Sequence, residues 1–194
     1  MKHVAWLALA LLLIGGCASK EMPEPESAKL LKNAPVWVKD PDVVCRLSGV
    51  GDAAKEIGGV ELQKTEAVAK AREMLAQKIQ TRTTTLMGEL LEEMGAEDTP
   101  EAGTVTGQVA EQLAFQLISG SRQKALWVAP DGSLYVLVIL DAPEVMTVAV
   151  NTIRMNLRMH DALRESYQKK QGEMELLMEG LTLRYFQCNG QERR

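Results

Sequence analysis

The sequence predicts an α+β protein: short strands, two of them in a hairpin, set among helices and followed by a long C-terminal helical stretch. Three observations carry this reading. Apolar residues recur at helical spacing from about 60 to 94. A Pro-Asp-Gly turn joins two apolar runs between 122 and 141. A further helical pattern runs from 143 to about 185.

The elements follow in order. Met1-Lys2-His3 is a charged start, Val4 to Ile14 is an apolar run, and Gly15-Gly16 precede Cys17. These are the parts of a secretory signal, and the run is too short to span a bilayer, which takes roughly 20 residues. Ile14-Gly15-Gly16-Cys17 resembles the lipobox of bacterial lipoproteins. The resemblance implies a signal peptide of residues 1–16 cleaved before Cys17, a diacylglyceryl group on the Cys17 thiol, and a further acyl chain such as palmitate on the new amine. Several acyl chains on one residue hold a protein on a membrane stably. Ala18 and Ser19 follow with no aspartate, which by the enterobacterial sorting rule implies the outer membrane, facing the periplasm. The alternative is an ordinary signal cut elsewhere beside a chance cysteine.

Residues 17–33 are polar, with Pro23 and Pro25 among glutamates, and read as a flexible lipidated tether. Asn33 to Val38 begins the folded part. Val43 to Gly51 reads as a strand ending in glycine. In the 60–94 helix, Val68, Leu75, Ile79, Leu86, Leu90 and Met94 keep to one face, with Thr83 filling the gap. Lys70, Glu73, Lys78, Glu89 and Glu92 lie opposite, and Ala67, Ala71 and Ala76 permit close packing on a sheet. The β-branched run Thr81 to Thr85 is a weak point. A loop over 95–103 leads to a second helix, about 106–119, then to strands at 122–128 and 133–141. The last strand is almost continuously apolar, so it is central and covered on at least one face. The tail after Pro143 is broken at Gly172 or Gly180 if anywhere. Its stripe of Val145, Val148, Met155, Met159, Leu163, Met174, Leu177 and Leu181 needs a partner: its own core, another copy or another protein.

Composition narrows the function. The net charge of −4 gives no reason to expect phosphate-driven nucleic-acid binding, and 4% aromatic residues leave few stacking platforms. No later segment is apolar enough to cross a membrane, so lipid is the expected anchor. Cys45 and Cys188 could form one disulfide in an exported protein; the other reading is a buried Cys45 and a free Cys188. No histidine stands at metal-ligand spacing from either, so no metal site is expected.

Catalytic signals are weak. Gly49-Val50-Gly51-Asp52-Ala53-Ala54 fits Gly-x-Gly-x-x-Ala after a strand, but Glu56 to Gly59 separate it from the helix, and the remaining strands form a hairpin. The pair is expected to permit an unusual turn, not to hold a cofactor. His160 has no partner and reads as solvated or packed. Ser48, Ser119 and Ser121 lack a nucleophile-elbow context. Glu92-Glu93 and Glu97-Asp98 lack the alternation of a calcium loop, and Arg72 reads as structural. No catalytic or cofactor-binding residue is assigned, and an enzyme is not expected.

The order Pro35-Val36-Trp37-Val38, Gly49-Val50-Gly51, Ala67, Ala71-Arg72 and Ala76, then the hairpin of Lys124 to Trp127 with Leu134 to Val138, resembles the LPP-twenty lipoprotein family. The resemblance covers roughly 34–142 and leaves out the helical extension at 143–194. It implies a small three-stranded antiparallel sheet with helices on one face, and no enzymatic activity. Some relatives are flagellar basal-body lipoproteins. The leading expectation is therefore a structural or assembly role in the cell envelope, working as a homo-oligomer or with an envelope protein. The other is a module holding a small apolar or envelope-derived ligand between sheet and helices.

Overall fold

The computed structural model describes residues 31–43, 47–55, 58–140 and 142–186. The signal, most of the tether, Cys17, Cys45 and Cys188 lie outside the described residues. A four-residue helix α1 (Val36–Lys39) and a 3-10 turn (Pro41–Val43) lead to strand β1 (Ser48–Ala53). Helices α2 (Val60–Met94) and α3 (Ala102–Ile118) precede the hairpin of β2 (Arg122–Val128) and β3 (Leu134–Ile139). Three helices follow: α4 (Ala142–Met159), α5 (Asp161–Lys169) and α6 (Gln171–Phe186). The protein is α+β, with one antiparallel sheet in the order β1-β3-β2. The apolar strand is central, as its composition predicts, and five of its six residues are buried.

Helix α2 organises the molecule. It starts after Gly59 and stops at Gly95, both at positive φ, where glycine carries no Cβ penalty. At the C-terminal end the Gly95 and Ala96 amides donate to Glu92 and Leu91, the closing pattern of a left-handed cap. The threonine run does not break it. Thr81, Thr83, Thr84 and Thr85 each donate a hydroxyl to the carbonyl four residues back, so each hydroxyl is satisfied inside the helix. The predicted stripe from Leu75 to Met94 is buried, while Val68 is half-covered.

The glycine pair is placed differently from expectation. Gly49 and Gly51 lie in the middle of β1, with no positive φ, and make no turn. Their function is close approach. A Cβ on Gly49 would stand 2.1 Å from the Ala71 carbonyl oxygen, and one on Gly51 2.1 Å from that of Ala67. Ala67 and Ala71 complete the contact as small residues with no exposure. Gln63 ties the same region together: its Nε2 donates to the carbonyls of Ala53 and Gly132, joining α2, β1 and the hairpin turn.

The tail is helical but breaks at His160 and Lys170 instead of Gly172 or Gly180. His160 is extended, with φ −87° and ψ 114°, and its carbonyl accepts from the Leu163 and Arg164 amides to start α5. The two breaks let α5 and α6 fold back, and α6 packs on α2 and α4. Leu157, Leu163, Tyr167, Met174, Leu181 and Phe186 join the same buried cluster as Leu75 and Leu86. Of the three partners open to the tail on sequence, its own core covers it. The stripe in α4 runs through Val145, Ala149, Ile153 and Leu157. Met155 and Met159, read as part of it, fall on the exposed side, because a position two residues from Leu157 is about 200° around the helix.

Polar contacts set the tail's angles. Asn156 Nδ2 donates to Gln112 Oε1 at 3.0 Å and Thr152 Oγ1 to Gln116 Oε1 at 2.9 Å, linking α4 to α3. Glu175 of α6 accepts from Arg154 Nε at 2.8 Å and Nη2 at 2.6 Å, and from the Tyr167 hydroxyl. The Arg158 guanidinium lies 5.7 Å from the Tyr167 ring centroid. Arg154, ahead of Tyr167 and Arg158, holds the Glu175 carboxyl below its ordinary value despite partial burial. Burial, then the bond to Glu175, pushes the Tyr167 hydroxyl up. Because the folded-state value of Glu175 is lowered, its contribution is present above the free carboxylate range and fades as pH falls through the folded value. Glu175→Gln is expected to cost about 1–3 kcal/mol in urea unfolding at pH 7. The gap from wild type should shrink once pH drops below about 4.

Candidate interaction surface

Strand alternation decides which side chains α2 covers. Gly49, Gly51 and Ala53 face it, and so do their partners Val138, Val136 and Leu134. On β2 the residues paired with Val136 and Leu134 are Leu126 and Val128, so they project to the same side. Helix α2 packs on β1 and β3 and does not extend over β2. Leu126 and Val128 are therefore left 42% and 54% exposed.

Beside them runs one flank of α2. Glu61, Thr65, Val68, Arg72, Ala76 and Gln80 stand on successive turns, so they share a side. The lower part is a depression of about 320 Å³ whose lining includes Lys64, Val68 and Arg72. The upper part, about 410 Å³, lies between α2 and α3 and is lined by Ala76, Gln80, Ala114, Phe115 and Ile118. Ala76, expected on the sheet, borders this groove instead. Phe115 is 84% exposed, the most exposed large apolar residue described. Arg72, which lines the lower part, donates from Nε to Ser121 Oγ at 3.1 Å, just before β2. The two depressions make an open, mainly apolar trough along this flank of α2 with charges at its rim, and Leu126 and Val128 of β2 stand exposed on the same side of the sheet.

Both sheet edges are blunted against strand addition. On β1 the outward Val50 amide meets Met74 Sδ at 3.4 Å, and Lys78 Nζ donates to the Ser48 carbonyl at 2.9 Å while pairing with Asp42. On β2 the register skips between Gln123 and Ala125, leaving Lys124 as a bulge. Bulges and edge lysines both hinder pairing with another strand. Strand addition is therefore disfavoured at both edges.

The residues weighed for chemistry are dispersed. Ser48, Ser119 and Ser121 donate their hydroxyls to the carbonyls of Pro41, Gln116 and Ile118. His160 marks the α4–α5 break. Glu92, Glu93, Glu97 and Asp98 are exposed, and among the described residues no group of three or more His, Cys, Asp or Glu is placed to hold a metal ion. Phe115, Leu126 and Val128 carry no sequence signal that separates them from core, since periodicity reports apolar spacing and not which neighbour is missing.

Among the described residues no helix is long and apolar enough to cross a membrane. The sequence model of the LPP20 lipoprotein family matches residues 35–141, more than half of the chain, from the first residue of the Pro-Val-Trp-Val segment to just past β3. No curated protein matches the chain.

Proposed function

This chain belongs to the LPP20 lipoprotein family, and on that premise we propose that it is an outer-membrane lipoprotein anchored through Cys17, facing the periplasm. It works by assembly and not by catalysis. The trough along α2 and α3, with the exposed Leu126 and Val128 of β2, receives the protein partner, either another copy or a different envelope protein. A flagellar basal structure is the most specific version. The observation that supports this reading is the set of large apolar residues left exposed here, Leu126 and Val128 of β2 and Phe115 of α3, on a domain whose tail packs its buried stripe into its own core. Exposed apolar area of this kind on a folded domain marks an interaction site. A small apolar ligand would have to use the same open groove, because α2 lies directly on β1.

The test is photo-cross-linking in cells from a probe at position 115, with Cys17→Ser as the anchoring control. The expected result is a discrete adduct, at twice the chain mass for self-assembly or at another mass for a different partner. It should be lost in Leu126→Asp. Fractionation should place the wild type in the outer membrane and lose Cys17→Ser from it. A folded, anchored protein that gives no adduct overturns the assembly reading, and a lipid retained in native mass spectra would move the trough to the ligand-binding alternative.

A further inference from the structure

We infer that the face of the sheet opposite α2 is the membrane-facing side of the domain and rests at the headgroup level of the bilayer. The inference rests on the reading of Cys17 as the lipid anchor.

The face is defined by register. Asp52, Tyr135 and Trp127 are paired across the three strands and alternate away from α2. Leu137 and Ile139 of β3 point the same way, yet they are buried. Strands flank β3 on both edges and α2 covers its other face, so the short helix α1, which also packs on β3, lies on this side. Helix α1 is where the chain arrives from Cys17. Leu31, five residues before α1, is fourteen positions from Cys17, so it stays within about 50 Å of the anchor at full extension. A tether of this length lets the surface around α1 reach the bilayer.

Its chemistry fits that position. Both tryptophans among the described residues are here: Trp37 in α1 and Trp127 on β2, each half-buried. Trp127 and Tyr135 form a tilted pair with ring centroids 5.4 Å apart. Trp and Tyr combine an apolar ring with a polar end and concentrate at membrane–water interfaces. Val36, between the aromatic residues and the tether, is 64% exposed. Lys32, Lys39 and Lys124 add exposed positive charge around them, which anionic headgroups attract. Burial, with Asp52 and Asp131 nearby, pushes the Tyr135 hydroxyl up. Asp52 and Asp131 lie towards β1 and the hairpin turn, while at the end of α1 Asp40 is exposed and Asp42 pairs with Lys78, so contact centres on the apolar and aromatic side chains of Val36, Trp37 and Trp127. With this face down, the trough on the α2 side points away from the membrane, open to a partner.

The two tryptophans are also the probes. The mature lipoprotein, lipidated and processed in the host so that Trp6 has left with the signal, is reconstituted into phosphatidylethanolamine–phosphatidylglycerol vesicles. A fraction of the lipid carries bromine near the glycerol end of its acyl chains. Trp37→Phe and Trp127→Phe leave one reporter each, and circular dichroism checks the fold. The expected result is that bromolipid lowers the emission of each reporter about twofold, and that Val36→Asp abolishes the quenching while the protein still floats with the vesicles. Protein that floats but shows no quenching in either variant overturns the membrane-facing assignment and leaves the anchor standing. Protein that does not float overturns the anchor, and this inference with it.

Discussion

Gly51→Val is expected to cost more than about 3 kcal/mol of stability, beyond the usual range for overpacking, or to prevent folding outright. The first added carbon would meet backbone on two sides, 2.1 Å from the Ala67 oxygen and 2.3 Å from the Ala71 nitrogen. A flexible side chain could swing aside, but these atoms belong to the hydrogen-bonded core of α2. Relief would require lifting the helix from β1 and exposing Leu75 and Ile79, which are fully buried. Gly88→Ala is the control. Gly88 sits in the same helix with nothing within 4 Å of its added carbon, and alanine there should stabilise by roughly 0.4–1 kcal/mol. Urea unfolding of the three proteins checks both signs. A Gly51→Val protein as stable as wild type would show that α2 does not lie on the strand as described.

Phe186→Ala is expected to cost about 3–5 kcal/mol, the range for removing a fully buried aromatic side chain. Phe186 ends α6, 45 residues beyond the last residue of the family match, yet it has no exposure and belongs to the cluster that holds Leu75 and Tyr167. The contacts around it tie α6 to α2: Arg82 Nη1 donates to the Tyr185 carbonyl at 3.2 Å, and Arg184 and the Tyr185 hydroxyl both reach Glu89. An arm that extends into solvent would lose almost nothing on this change. A near-zero effect in thermal or urea unfolding would therefore restore the tail as a free assembly element. A loss in the expected range, with a single cooperative transition, fixes it as part of the domain.

Much of the fold was legible in the chain. The helix at 60–94 and the strand at 122–128 fall where periodicity puts them, because a helix of 35 residues repeats its signal many times and a Pro-Asp-Gly turn pins the hairpin. Boundaries with weaker local signals moved. The second helix begins at Ala102 and not near 106, through a loop whose Thr99 carbonyl accepts from the Ala102 amide. The first strand starts at Ser48 and continues to Ala53, since pairing with β3 and not composition sets its length.

By itself, the sequence determined the element types, the central place of the apolar strand, the family and the lipobox-like start on which the anchoring proposal rests. These are properties of residue order and spacing, and the physics behind them is local. Only the tertiary structure decided the rest. Gly49 and Gly51 turned out to be a contact and not a turn, because a missing Cβ reads the same in sequence whether it frees φ or admits a neighbour. The tail closed on its own core because His160 and Lys170 redirect it, which no apolar stripe reveals. Leu126, Val128 and Phe115 became surface for the same reason: burial depends on whether another element arrives, and over β2 none does.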